Sequence, residues 1–316
     1  MKGHGGRARR PDPRRWLSTI RNRRSARTSE RVRRPQPLLK QRMPSPSQVE
    51  SLNLLLSGLS INTVCQSASC PNLGECFSEG TATFMILGSN CTRHCRFCAV
   101  DKRTPKAVDP EERKNISEAV RRLALKYVVI TSPTRDDLPD GGALHFAETI
   151  HDIGSADPGV KIEILIPDFQ GSISALKTVL EASPAVLGHN METVPALYSS
   201  VRPEAIYERS LEILVKTKQI RPDILTKSGI MLGLGEERVQ IIEVMNDLLV
   251  AGCDILTLGQ YLRPSIKNLA VSRYVPPDEF NEYKLIAERM GFKAVVAGPS
   301  VRSSHHAART YYQTLG

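Results

Sequence analysis

The sequence predicts an α/β chain folded as a partial or full (β/α) barrel, and two observations carry that expectation. From about residue 82 onward, short apolar runs of strand length alternate with amphipathic segments of helical period. A cysteine-rich loop directly follows the first of those runs, at the strand end where such folds gather their ligands. Strand-like runs fall at 83–87, 127–131, 162–166, 185–187, 228–232, 254–258 and 294–297. Helical patterns lie between them near 113–124, 143–152, 173–181, 207–217, 237–250 and 278–290; Leu211, Leu214 and Val215, for instance, recur at the spacing of a helix packed by one face. Alternation of this kind implies βαβ crossovers and a parallel sheet, with an open doubly wound sheet as the alternative.

The 41% hydrophobic content suits a soluble protein with a substantial core, and no uncharged apolar run reaches the ~18 residues of a transmembrane helix. The net charge of +10 is localised. Residues 1–43 carry 15 Lys or Arg against Asp12 and Glu30, a net of +13, while the remainder carries 28 basic and 31 acidic residues, a net of −3. With little apolar surface and several prolines, the arm reads as a solvated, disordered tail. An arm that touches nucleic acid or an acidic partner is one alternative, and an organelle transit peptide is another. The expected location is accordingly cytoplasmic, or an organelle if the arm is cleaved.

Six of the seven cysteines lie between positions 65 and 98, with no secretory signal to favour disulfides, so they read as metal ligands. Cys91, Cys95 and Cys98 form a C-x3-C-x2-C loop. Three thiolates on one loop hold three irons of a 4Fe–4S cube and leave the fourth without a protein ligand, open to chelation by S-adenosylmethionine. Zinc is the bland alternative, but it wants four ligands in paired halves. Upstream, Cys65, Cys70 and Cys76 form C-x4-C-x5-C, a second three-thiolate set. Cys253 stands apart and reads as a buried small hydrophobe.

The Cys91 loop resembles the signature of the radical S-adenosylmethionine superfamily, and the CPNLGEC segment resembles the auxiliary-cluster motif of the lipoyl synthase family. The resemblance runs over about residues 33–307, through GTATFMILG, CRFCAV, RDDLPDGGA, IEILIPDF, HNMETVP, TKSGIMLGLGE and AGPSVRSSHHA. It departs at His305, where tyrosine is usual, at Pro133-Thr134, at Gly188 and near Leu38, where tryptophan is usual.

The resemblance implies a barrel of the radical S-adenosylmethionine type with an N-terminal extension. The chain would divide into the arm 1–43, an auxiliary-cluster segment 44–81, the barrel 82–300 and a C-terminal segment 301–316. It implies two 4Fe–4S clusters, one at Cys91, Cys95 and Cys98 that binds S-adenosylmethionine. The other, at Cys65, Cys70 and Cys76, would be completed by Ser304, or by its neighbour Ser303, and spent as the sulfur donor. The implied reaction inserts two sulfurs, at C6 and C8, into an octanoyl chain on a lysine of a lipoyl carrier domain or H protein. A ferredoxin- or flavodoxin-type reductant and an iron–sulfur carrier would be further partners. Polar residues at strand ends are the candidates for holding nucleoside and substrate: Thr131, Ser132, Asp137, Asp140 with Gly141 and Gly142, Asn190, Glu192, Lys227, and Arg202 as a bidentate partner of the methionine carboxylate. Another sulfur-inserting radical enzyme and a non-catalytic two-cluster electron carrier remain the alternatives, with nucleic-acid binding through the arm weaker still.

Overall fold

The computed structural model describes residues 54, 56, 58, 59, 61–63 and 81–316. The arm 1–43 and the segment bearing Cys65, Cys70 and Cys76 lie outside the described residues.

Eight strands form one sheet in sequence order: β1 (Asn62–Thr63), β2 (Thr81–Met85), β3 (Tyr127–Thr131), β4 (Lys161–Leu165), β5 (Val186–Gly188), β6 (Leu225–Leu232), β7 (Ile255–Gln260) and β8 (Ala294–Gly298). All pairings from β2 to β8 are parallel, and β1 joins the edge antiparallel to β2. The curled sheet is thus a partial barrel, open between β8 and the β1–β2 edge among the described residues. Helices α1 (Glu112–Arg122), α2 (Ala143–Ala156), α3 (Ile173–Glu181), α4 (Tyr198–Val201), α5 (Tyr207–Ile220), α6 (Arg238–Val250) and α7 (Pro277–Met290) connect the strands. The last, α8 (Ala307–Gln313), follows β8.

Local chemistry sets the helix ends. Asp140 accepts hydrogen bonds from the amides of Gly142 and Leu144 and so starts α2. Ser172 caps α3 through the Ala175 amide, Glu237 and Gln240 form a reciprocal capping box on α6, and Gly291 ends α7 at φ 109°. Alternate strand residues point outward against the helices. Val128, Ile130, Leu187, Ile230, Leu256 and Leu258 belong to this main core with Ile116, Phe146, Leu176 and Leu248 from the helices.

The inward residues form a second, smaller cluster: Tyr127, Val129, Val186, Leu225 and Ile255, packed by Ala307 and Tyr311 of α8. The C-terminal helix therefore lies against the concave face, at the N-terminal ends of the strands. The sequence pattern does not reveal α8, since a seven-residue helix with two alanines and two tyrosines carries too short a period to register. Above this apolar layer, Lys227 Nζ donates to Glu163 Oε1 at 2.7 Å, and Tyr127 Oη donates to Glu163 Oε2 at 2.7 Å. This corrects the expectation for Lys227. β6 begins three residues earlier than the pattern suggests, so Lys227 sits inside the sheet and closes a buried ion pair instead of facing ligand.

Both members of that pair are about 2% exposed, so removing one leaves the other charged, dry and uncompensated. Lys227→Met is expected to lower stability by about 3–5 kcal/mol, read as a shift in the urea midpoint at constant slope. Glu163→Gln combined with Lys227→Met is expected to recover much of that loss.

Candidate active site

β2 feeds the cysteine loop through a left-handed turn, Leu87 at φ 65° and Gly88 at φ 82°. Glu112, at the start of α1, accepts from both turn amides (2.7 and 3.3 Å) and from His145 Nε2 at 2.9 Å, which pins the take-off point. Cys91 is buried, and Cys95 and Cys98 are half-buried. The Cys91 amide donates to the Asp101 carbonyl at 2.8 Å, so the loop folds back on its own exit. Arg96 donates its amide to the Val201 carbonyl and accepts from the Leu269 amide. Asn268 Nδ2 reaches the Cys98 carbonyl at 3.0 Å. The loops that follow β5 and β7 thus brace the cysteine loop over the C-terminal ends of the strands.

Arg93, the second residue after Cys91, is the strongest brace. It makes two hydrogen bonds to Asp136 (2.7 and 2.9 Å) and a third to Asp168 at 2.6 Å. Arg209 Nε holds the other Asp168 oxygen at 2.7 Å. Burial alone would raise the Asp168 carboxyl, but its hydrogen bonds and charge contact with Arg93 outweigh it and hold the acid well below the usual carboxylate range. Sequence reasoning missed this network. Its one signal is an arginine between ligand cysteines facing the Asp136-Asp137 doublet of RDDL.

The candidate ligand-holding residues divide. Ser132 Oγ is buried with no hydrogen-bond partner among the described residues, whereas Thr131 Oγ1 is already spent on the Leu165 carbonyl at 2.8 Å. Asn190 Nδ2 donates to Glu192 Oε1 at 3.0 Å and to Ser303 Oγ at 2.7 Å, so the C-terminal serine segment meets the end of β5. Glu192 takes φ 66°, and burial raises its carboxyl. Two glycines permit this closeness: a Cβ on Gly229 would stand 2.7 Å from Thr257 Oγ1 and 3.0 Å from Asn190 Oδ1, and one on Gly259 would stand 2.2 Å from the Val301 carbonyl. Ser304 is half-buried in the turn before α8. Arg202 is buried over the Tyr198 ring, with Nη1 on the Asn190 and Met191 carbonyls (2.8 and 3.0 Å) and Nε without a partner among the described residues.

The expectations for the glycine amides and for Asp137 and Asp140 need correction, whereas that for Cys253 stands. The amides of Gly141 and Gly142 are not free for a ligand, because the Leu138 carbonyl and Asp140 Oδ1 already accept them. Asp137 pairs with Arg135 at 2.8 Å, and Asp140 serves as the α2 cap. Cys253 is buried, with its thiol pushed up to about 12 by burial, and stands away from the cysteine loop.

Burial also pushes the Cys95 thiol up to about 11 and raises Cys98. Such thiols become thiolates only by binding a cation, which suits iron. Among the described residues no three Cys, His, Asp or Glu side chains converge on one metal ion. Cube ligands each take a different iron and need no such convergence. The donor set therefore fits a 4Fe–4S cluster. No helix among the described residues is long and apolar enough to cross a membrane.

A family model of the radical SAM superfamily matches residues 85–248. Among solved structures, the FeFe-hydrogenase maturase HydG from Carboxydothermus hydrogenoformans aligns with a TM-score of 0.57 at 12% identity, covering 85% of this chain and 70% of that one, a likeness of fold. Parallel sheet, three-thiol loop and family match together define an iron–sulfur enzyme that uses S-adenosylmethionine to generate radicals. The lipoyl synthase of Caldanaerobacter subterraneus subsp. tengcongensis is 55% identical over 276 residues, 87% of this chain and 96% of that protein. That of Thermus thermophilus is 51% identical over 289 residues, 89% and 90% respectively. The chain belongs to the lipoyl synthase family.

His189, at the end of β5, offers a test of how dry this region is. Its Nδ1 donates to the Ile166 carbonyl at 2.9 Å, and burial lowers its pKa to about 4. Between about pH 6.5 and 4 the unfolded chain binds a proton that the folded one refuses, so stability is full above that window and falls as pH drops through it. Urea midpoints from pH 7 to pH 5 are expected to show an acid-side loss of ~2 kcal/mol that His189→Gln lacks.

Proposed function

We propose that the protein is a lipoyl synthase that inserts two sulfur atoms, at C6 and C8, into an octanoyl chain carried on a lysine of a lipoyl carrier domain or H protein. The observation that supports this most is the Asn190–Ser303 hydrogen bond, which brings a C-terminal serine pair to the strand ends that also carry the three-cysteine loop. A serine segment drawn there has no evident purpose in a plain electron carrier, whose clusters take cysteine at every iron.

Cys91, Cys95 and Cys98 would hold a cluster that, when bound, would supply the electron for reductive cleavage of S-adenosylmethionine and so the means to take hydrogen from unactivated carbon. Cys65, Cys70, Cys76 and Ser304 would hold the second cluster, which would supply the sulfur. Ser304 is the preferred ligand because Ser303 Oγ is engaged by Asn190. Oxygen is a poor iron ligand beside thiolate, so one serine-held corner suits a cluster that is dismantled in use.

The chain's own residues bind, orient and keep the site dry. Arg93, Asp136, Asp168 and Arg209 fix the loop against the barrel. Ser132, Asn190 and Glu192 line the strand ends for the nucleoside, beside Thr131, whose hydroxyl stays on the Leu165 carbonyl. Arg202 Nε, buried and without a partner among the described residues, is the donor for the methionine carboxylate. A protein reductant of ferredoxin or flavodoxin type and an iron–sulfur carrier that rebuilds the spent cluster complete the proposed partners.

The test is anaerobic turnover of the reconstituted protein with a strong reductant and an octanoyl-lysine peptide, read by mass spectrometry. A peptide gaining two sulfurs supports the reading; nucleoside release without sulfur transfer discards the substrate. Cys91→Ala is expected to abolish both products. Ser304→Ala is expected to keep 5′-deoxyadenosine formation while sulfur insertion falls at least about tenfold, and Ser303→Ala to cost less.

A further inference from the structure

The chain leaving the cysteine loop turns back beside its first ligand, where Asn90 and Asp101 form a parallel bridge and the Cys91 amide donates to the Asp101 carbonyl. Lys102 follows at once. Its Nζ is buried and has no hydrogen-bond partner among the described residues. The adjacent carboxylate is no counter-charge for it, since Asp101 turns outward and takes Arg103 through both backbone and side chain (3.0 and 2.8 Å). A buried ammonium without an anion costs several kcal/mol, so the site calls for an anion that the described residues do not provide.

Neighbouring cations are otherwise occupied. Arg93 is spent on Asp136 and Asp168, and one arm of Arg202 on two carbonyls. Lys102 lies four residues after Cys98, on the return strand of chain that bridges back beside Cys91. Two anions come within reach of such a charge: the thiolate-bound cluster and the carboxylate of S-adenosylmethionine. The unclaimed Nε of Arg202 already offers the carboxylate a donor, and the place of Lys102 directly after the residue whose carbonyl holds the Cys91 amide favours the cluster.

We propose that Lys102 is the built-in counter-ion of the cluster bound at Cys91, Cys95 and Cys98, a positioning charge that favours its one-electron reduction. This rests on the cluster assignment made above. The electron comes from a low-potential one-electron reductant and remains on the iron–sulfur unit, with no bond made or broken in that step. Withdrawing the positive charge disfavours the extra electron and moves the midpoint potential down.

The experiment is a redox titration of the anaerobically reconstituted full-length protein, followed by electron paramagnetic resonance. The signal read is the one that changes on adding S-adenosylmethionine, which identifies the open-iron cluster. Lys102→Met is expected to lower the reduced-to-oxidised ratio at fixed poise about tenfold, equivalent to about 59 mV, while Lys102→Arg keeps the wild-type midpoint. Lys102→Gln reads the same quantity if methionine impedes assembly. Failure of both neutral variants to hold iron, with assembly intact in Lys102→Arg, is also the behaviour of a counter-ion. A wild-type midpoint in either neutral variant overturns the proposal, as does failure of all three variants to assemble, which marks a packing role. An unchanged midpoint with tenfold weaker S-adenosylmethionine binding assigns the charge to the carboxylate and overturns it too. A wild-type protein with no cluster that responds to S-adenosylmethionine would instead defeat the functional reading itself.

Discussion

One fully buried carboxylate holds the catalytic end of the molecule together. Asp168 leaves β4 with no exposed surface, and each of its oxygens meets a different arginine, one from the cysteine loop and one from α5. A charge in that position is tolerable only because both partners are present. The loop, which has no regular structure of its own, thereby inherits the rigidity of a strand end. Asp136 extends the same clamp to the loop after β3. Two strand ends and one helix are thus tied to the segment that carries the thiols, and the braces through Val201 and Asn268 add to a position already defined.

The dryness that makes this clamp costly also serves the chemistry. Thiols raised by burial are poor anions by themselves and good ligands once iron compensates them. A site that keeps His189 neutral gives a reactive carbon-centred or nucleoside radical few protons and little water to meet. The protein's contribution is largely this exclusion, together with aim, since the bound cofactors carry the hard bond-breaking.

How much of this could be read beforehand depends on the range of the interactions involved. The parallel strands were legible because their apolar runs are local. The 127–131 strand coincides with β3, and the 173–181 helix with α3. The thiol loop was legible because its ligands lie within eight consecutive positions. Arg93 and Asp168 meet across 75 residues, and no local pattern announces such a partnership. Lys227 was misread for a smaller reason. Threonine and lysine at the start of β6 look like a loop, yet they extend the strand because Glu163 waits across the sheet to neutralise the lysine. The glycines of PDGGA were read as ligand amides when the backbone had already used them, a matter of turn geometry that composition does not convey.

The placement of α8 has a bearing on traffic. With Tyr311 and Ala307 filling the concave face beside Tyr127, Val186 and Ile255, the floor of the barrel is stoppered by the chain's own terminus. Among the described residues, an acyl chain and a nucleoside are then left the opposite rim and the open side between β8 and the β1–β2 edge as approaches. The same peptide that forms the stopper also carries Ser303 up to that rim. The underside of the barrel and its ligand-bearing rim are thus spanned by one short run of chain.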